Sequence, residues 1–339
     1  MKDRACGRSK IPHLAAASAT HLRYTEKRTI EEQGGKINER SVGETRFLIL
    51  FRSEADERLA RVVVDSLRTF GGPLRDGPVW AFVLDPHHMS RALSGLKGVH
   101  CFPLALEPGS PPYPFAEKVY ACARAEEVAG PGVRSLVWLS LDCLIVNPPL
   151  LFDLGPAFDA AFRPVHHRNV GSPAHEPPDG FWRGIYRALE MESVPYTVES
   201  FVDGQTLRPY FSSHCFAFNP AAGLGRAWWA HFKALASDQA FQSGPCHDEL
   251  HQIFLHQAVL SALSVTMLDP KRVRILPPRY NYPYNLHPSI SPDRRAHSLN
   301  DLVSIAYEER QVNPSVMDDI DIHEPLRSWL SAQAGIRPS

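Results

Sequence analysis

The chain has 339 residues, 44% hydrophobic and 22% charged, with a formal net charge of -1. That is enough for one large domain or two smaller ones sharing a core. The charge balance argues against nucleic acid or an anionic membrane surface as the main partner. No apolar run nears the roughly 18–20 residues that cross a bilayer, so no membrane span is expected.

Residues 1–44 are polar and without sustained periodicity, and read as a poorly ordered tail, with an extra helix over 15–28 as the alternative. Order begins with the apolar run 47–51, the mark of a strand buried on both faces. Ser53 and Asp56 form a capping-box-like pair ahead of Leu59, Val62, Val63, Ser66, Leu67 and Phe70, which recur at helical spacing. Gly71-Gly72-Pro73 stops that helix. Strands are predicted over 79–84, closed by Asp85-Pro86, then over 99–104 and 135–139, with a helix over 115–128 stopped by Gly130-Pro131. The second half adds strands over 159–162, 214–218, 273–276 and 302–306, and helices over 224–235 and 249–263. Strand–helix alternation of this kind predicts an α/β fold, a mostly parallel central sheet with helices on both faces. Ligands of such sheets gather at the carboxyl ends of the strands. No repeat or linker appears, so 45–335 is read as one domain, with a nucleotide-binding half (45–150) and an acceptor or sugar half (151–335).

Proline is abundant, at 30 residues, in clusters such as Pro111-Pro112-Tyr113-Pro114 that read as rigid connections. Six cysteines, none in a C-x-x-C pair, favour a reduced, cytoplasmic compartment. G-x-G-x-x-G and G-x-x-x-x-G-K-[ST] are both absent, which argues against dinucleotide-binding dehydrogenases and P-loop enzymes.

The segment Val137-Trp138-Leu139-Ser140-Leu141-Asp142-Cys143-Leu144-Ile145-Val146-Asn147-Pro148 carries the main functional signal. It resembles the strand and D-x-D segment of nucleotide-sugar glycosyltransferases of the GT-A fold, in particular the glycogenin-like retaining group. The preceding helix with Lys118, the segment Tyr210-Phe211-Ser212-Ser213-His214, the helix with His256-Gln257, and Tyr280-Asn281-Tyr282 are similar, in order, to later parts of that family. The resemblance covers roughly 45–286 and implies a UDP- or GDP-linked nucleotide sugar as donor, an acceptor still to be identified, and Mn²⁺ or Mg²⁺ as cofactor. A divalent cation would ease departure of the pyrophosphate and takes oxygen ligands. Asp142 and His287 are the expected metal ligands.

The sequence departs from the family where Ser140 replaces the first aspartate, where Ser212-Ser213-His214 replaces Asn-x-Gly, and where His323-Glu324-Pro325 lacks the family's late lysine. The resemblance implies nucleotide or sugar contacts for Lys118, Ser140, Asp142, His214 and Gln257. Arg163 and His166, in the donor-rich stretch Arg163–Asn169, suit phosphate or sugar hydroxyls. Asp203 reads as a turn residue or a sugar ligand. Lys118, Arg163 and Arg168 offer a metal-free way to hold the phosphates. Two further readings stay open: a degenerate transferase that binds without turnover, and a zinc hydrolase through His247 and His251, at i and i+4 on one helix face.

Overall fold

The computed structural model describes residues 44–84, 93, 95–308 and 310–333. These belong to one compact unit, Lys36–Ser339. The predicted tail and the Asp85-Pro86 stop lie outside the described residues, Glu44 excepted. The elements in chain order begin with β1 (Thr45–Phe51), α1 (Glu54–Phe70), β2 (Val79–Val83), β3 (Val99–Pro103), α2 (Ala116–Val128), β4 (Ser135–Leu139), β5 (Cys143–Ile145) and β6 (Ala160–Pro164). They continue with α3 (Gly180–Ala188), the short pair β7 (Val198–Glu199) and β8 (Thr206–Leu207), β9 (Phe211–Phe218), α4 (Leu224–Ser237), α5 (Gln239–Ser243) and α6 (Glu249–Met267). The last are β10 (Val273–Ile275), β11 (Tyr282–Pro283), β12 (Ser304–Ala306) and α7 (Leu326–Ala332).

The central sheet has seven strands in the order β10-β6-β9-β4-β1-β2-β3. Every neighbouring pair is parallel except those made by β9, which runs antiparallel to β4 and β6. The apolar runs are continuous because both faces are covered. Leu48, Leu136, Trp138, Phe216 and Phe218 face one core, shared with Val119 of α2, Trp228 of α4 and Val259 of α6. Their neighbours Phe47, Ile49, Val137, Leu139, Cys215 and Ala217 face the other, shared with Ala60, Val63, Val64 and Leu67 of α1. The mostly parallel α/β fold with helices on both faces therefore stands.

Local chemistry fixes the ends of α1 as the sequence implies. The Ser53 hydroxyl accepts from the Asp56 N–H at 3.2 Å, and Asp56 accepts from the Arg52 N–H at 2.8 Å. At the other end the Gly71 N–H donates to the Leu67 carbonyl at 2.8 Å.

Two features set up the site. First, β9 is antiparallel, so its opening residues lie beside the closing residues of its neighbours: Ser212 pairs with Arg163 and Cys215 with Leu139. Second, a small sheet in the order β11-β12-β5 brings the late chain onto the segment after β4. Its core joins Leu144, Tyr282, Ile305 and Tyr307 to Leu326 and Leu330 of α7.

Candidate functional site

The turn Ser140–Asp142 sits at the carboxyl end of β4, held from two sides. The Ser140 N–H donates to the His214 carbonyl at 3.0 Å. Tyr307 donates its N–H to the Asp142 carbonyl at 2.9 Å and its hydroxyl to the Leu141 carbonyl at 3.0 Å. The Asp142 side chain is thereby placed against His214, whose Nε2 lies 3.5 Å from one Asp142 oxygen and 3.5 Å from Glu308 Oε1. These three side chains remain 27% (Asp142), 30% (His214) and 40% (Glu308) exposed, so a ligand can reach them. Burial favours neutral forms of both Asp142 and His214, but their mutual attraction, with Glu308 adding to it, outweighs that. The Asp142 carboxyl is held below the usual carboxylate range and the His214 imidazole above its usual value.

Behind this pair lies a buried polar layer. The His214 Nδ1 is 3.5 Å from the Ser212 hydroxyl, which accepts from Asn281 Nδ2 at 2.9 Å. Asn281 Nδ2 also lies 3.4 Å from His166 Nε2. On the other side of β9, Lys118 donates to the Ser213 carbonyl and, at 3.0 Å, to the Ser213 hydroxyl. That hydroxyl is 2.9 Å from His256 Nε2, and Gln257 Oε1 accepts from the Ser213 N–H at 3.2 Å. The Lys118 ammonium lies between the Phe115 and Trp138 rings, 5.8 and 5.3 Å from their centroids. Burial pulls its pKa from 10.5 to about 8.

Six of the residues singled out in the sequence thus lie in one connected layer: Lys118, Asp142, His166, His214, Gln257 and Asn281. Ser140 adjoins it, accepting from Trp138 Nε1 at 3.2 Å. Arg163 opposes Ser212 at the end of β6. Lys118 is drawn inward to Ser213 instead of standing out on a helix surface. Asp203 serves its own loop, accepting from the Arg168 N–H at 2.9 Å and from the Ser200 hydroxyl. His287 is buried and has both ring nitrogens engaged, with Nδ1 2.7 Å from the Tyr282 hydroxyl and Nε2 3.0 Å from the Asp319 carbonyl. Sequence reasoning missed Glu308, His256 and Tyr307. His256 directly precedes Gln257 and was within reach of the motif; Glu308 and Tyr307 follow β12 and carry no local signal.

The zinc arrangement is corrected by where α6 begins. Asp248 is its N-cap, accepting from the His251 N–H at 3.0 Å, so His247 precedes the helix and shares no face with His251. The two rings are engaged separately: His247 Nδ1 lies 2.8 Å from the Gly244 carbonyl and His251 Nδ1 2.6 Å from Asp248. Among the described residues no group of three or more His, Cys, Asp or Glu side chains is arranged to hold a metal ion, and no helix is long and apolar enough to cross a membrane.

No family model and no curated protein matches the sequence. Solved structures of GT-A-type glycosyltransferases match the chain path at low identity. The glycosyltransferase GlyE of Streptococcus pneumoniae TIGR4 is 12% identical over 86% of this chain, with a TM-score of 0.48, and this chain spans 60% of its length. Mouse xyloside xylosyltransferase 1, in its apo form, is 12% identical, covering 77% of this chain and 97% of its own, with a TM-score of 0.42. The galactosyltransferase LgtC, in complex with donor and acceptor sugar analogs, is 14% identical, covering 87% and 96%, with a TM-score of 0.48.

Proposed function

We propose that the carboxyl edge of the sheet binds a nucleotide-diphosphate sugar, UDP- or GDP-linked, and that the chain transfers the sugar to an acceptor. The observation that carries this reading is the partly exposed Asp142–His214–Glu308 group, which caps a buried polar layer and whose Asp142 stands where the resemblance puts the last residue of D-x-D. Sugar transfer needs the departing diphosphate neutralised and the anomeric centre held while positive charge develops on it. A cationic His214, fixed by two carboxylates, supplies positive charge for the first task, and Asp142 supplies negative charge for the second.

The donor set does not fit the Mn²⁺ or Mg²⁺ that the resemblance implies. Ser140 offers a neutral hydroxyl in place of a carboxylate, the Asp142 carboxylate faces an imidazole, and both nitrogens of His287 have protein partners. A hard divalent cation prefers several anionic oxygens, and the two carboxylates here, Asp142 and Glu308, are both turned to His214. The proposed transfer therefore runs on the chain's own cations. The described cysteines, Cys101, Cys122, Cys143, Cys215 and Cys246, are free thiols, which supports a reducing compartment such as the cytoplasm.

A second reading, binding without turnover, is favoured by the inward-drawn Lys118 and the loss of a carboxylate at Ser140. Calorimetry with UDP- and GDP-sugars, in Mn²⁺ and again in EDTA, tests the proposal on wild type and Asp142→Ala. Saturable binding that survives EDTA and is lost in Asp142→Ala is expected, and release of nucleoside diphosphate on adding acceptors separates transfer from binding alone. Absence of binding in every condition sinks both readings.

A further inference from the structure

Arg163, next to last in β6, is 4% exposed, packed with its guanidinium 4.8 Å from the centroid of the buried Phe201 ring. Its Nε and Nη2 make no hydrogen bond among the described residues. Those two N–H groups lie on the same edge of the guanidinium and point in parallel, forming one complete fork. A buried fork left empty is costly, and proteins rarely leave one so.

His166, three residues on, repeats the pattern. It is 8% exposed and its Nδ1 has no partner. The Asn281 amide N–H faces Nε2, so Nε2 accepts and Nδ1 carries the proton. Burial first, then Arg163 and His214, keep this ring neutral. The end of β6 therefore presents three N–H donors without an acceptor. The acids of the adjoining loop are engaged elsewhere: Glu199 pairs with Arg294 at 3.0 Å, and Asp203 holds Arg168 and Ser200. Arg294, itself paired with Glu199, lies 4.9 Å from the centroid of the same Phe201 ring. Burial, with Arg294 reinforcing it, lowers the Arg163 pKa to about 9, which reflects an environment without a counter-charge.

A neutral sugar is a poorer match to these three donors, because its hydroxyls must donate as well as accept. A planar carboxylate accepts two parallel bonds from one guanidinium edge and has lone pairs left for an imidazole N–H. We infer that Arg163 and His166 form a carboxylate pocket at the end of β6 and that the sugar handled there is a uronic acid. This rests on the proposed sugar-transfer reading and specifies its substrate class. The acidic sugar could be carried on the donor or on the acceptor, and the chemistry at Arg163 is the same for both.

The test titrates UDP, UDP-glucuronate and UDP-glucose into wild type and Arg163→Met, and then methyl glucuronide and methyl glucoside into each protein with and without UDP-glucose. Wild type should prefer the acidic member of one pair by about 10-fold or more, the effect of one charge-assisted fork. Arg163→Met should erase that preference, weakening the acidic member by about 10-fold more than the neutral one. Preference in the nucleotide pair assigns the uronic acid to the donor; preference in the glycoside pair assigns it to the acceptor. Arg163→Lys, which keeps the charge and loses the fork, replaces the methionine variant if that one does not fold. No preference in either pair, or a preference that survives at Arg163→Met, overturns the inference. Failure of UDP and both UDP-sugars to bind sinks the UDP-linked form of the transferase reading, while the glycoside pair still decides the pocket.

Discussion

Lys118 should write a pH signature into the stability of the whole protein. Its ammonium is buried beneath the site and its pKa falls, chiefly through burial, from 10.5 to about 8. Between those two values the unfolded chain holds a proton that the folded chain has released. Stability therefore rises with pH across that window, since the unfolded state binds more protons there. The full difference corresponds to about 3 kcal/mol, imposed at pH 7 and below, of which about 2 kcal/mol should be recovered by pH 9.5. Lys118→Met removes the titrating group. It also takes a donor from the Ser213 carbonyl and hydroxyl, although the hydroxyl keeps His256 at 2.9 Å. Its net effect at pH 7 should lie within about 2 kcal/mol of wild type in either direction, because relief of a buried charge offsets the lost bonds. The slope is the diagnostic. Urea unfolding of both proteins at half-unit steps from pH 7 to pH 9.5 should show wild type gaining on Lys118→Met by about 2 kcal/mol. Parallel curves would refute the reasoning: Lys118 would then be solvated, or neutral throughout.

Two further outcomes follow from packing and capping. A Cβ at Gly225 would stand 2.8 Å from the Cys122 backbone carbonyl, where α4 crosses α2, so Gly225→Ala must push two helices apart. It should destabilise by about 1–3 kcal/mol in denaturant unfolding; an unchanged midpoint would mean that the helices do not approach so closely. Ser53→Ala deletes the hydroxyl that caps α1 and should cost about 1 kcal/mol by the same measurement, with Ser53→Asp restoring it.

The strands of the sheet centre were legible because they are buried on both faces. The runs at 47–51, 79–84 and 135–139 needed no periodicity to be read, only length and the breakers around them. The same rule failed at β9, read as starting at 214 when it starts at Phe211. Ser212, Ser213 and His214 are polar yet lie in the strand, because Asn281, Lys118, Gln257 and Asp142 satisfy them from other elements. Helix α3 was missed for a different reason. A proline-rich approach and Gly180 hid it, although Asp179 caps it through the Trp182 N–H at 2.9 Å and Phe181, Trp182 and Ile185 mark its buried face. In the site, motif order located Asp142, His214 and Gln257, but no local pattern could announce Glu308 or Tyr307. Tyr307 reaches Asp142, and Glu308 reaches His214, only because β12 pairs antiparallel with β5, an event set by pairing across about 160 residues of chain.

That failure at β9 carries information about function. A strand in the middle of a sheet gains most from apolar side chains, so three successive polar residues at its start forgo burial energy that Val or Ile would provide. The loss is tolerated where partners exist for each group, and here the partners are themselves polar residues drawn from α2, α6, the turn after β4 and the segment before β11. Packing alone would not call for such a layer, because well-packed apolar side chains would stabilise the same sheet as well or better. Its location is equally specific: it lies at the carboxyl edge, where sheets of this kind bind ligands. The satisfied members, Ser213 and Asn281, hold the layer rigid. The members that are incomplete, the Arg163 fork and His166 Nδ1, or exposed, the Asp142–His214–Glu308 group, are the ones with capacity left for a ligand. Satisfied and unsatisfied groups within one network thus separate a rigid scaffold from the groups left able to bind a ligand.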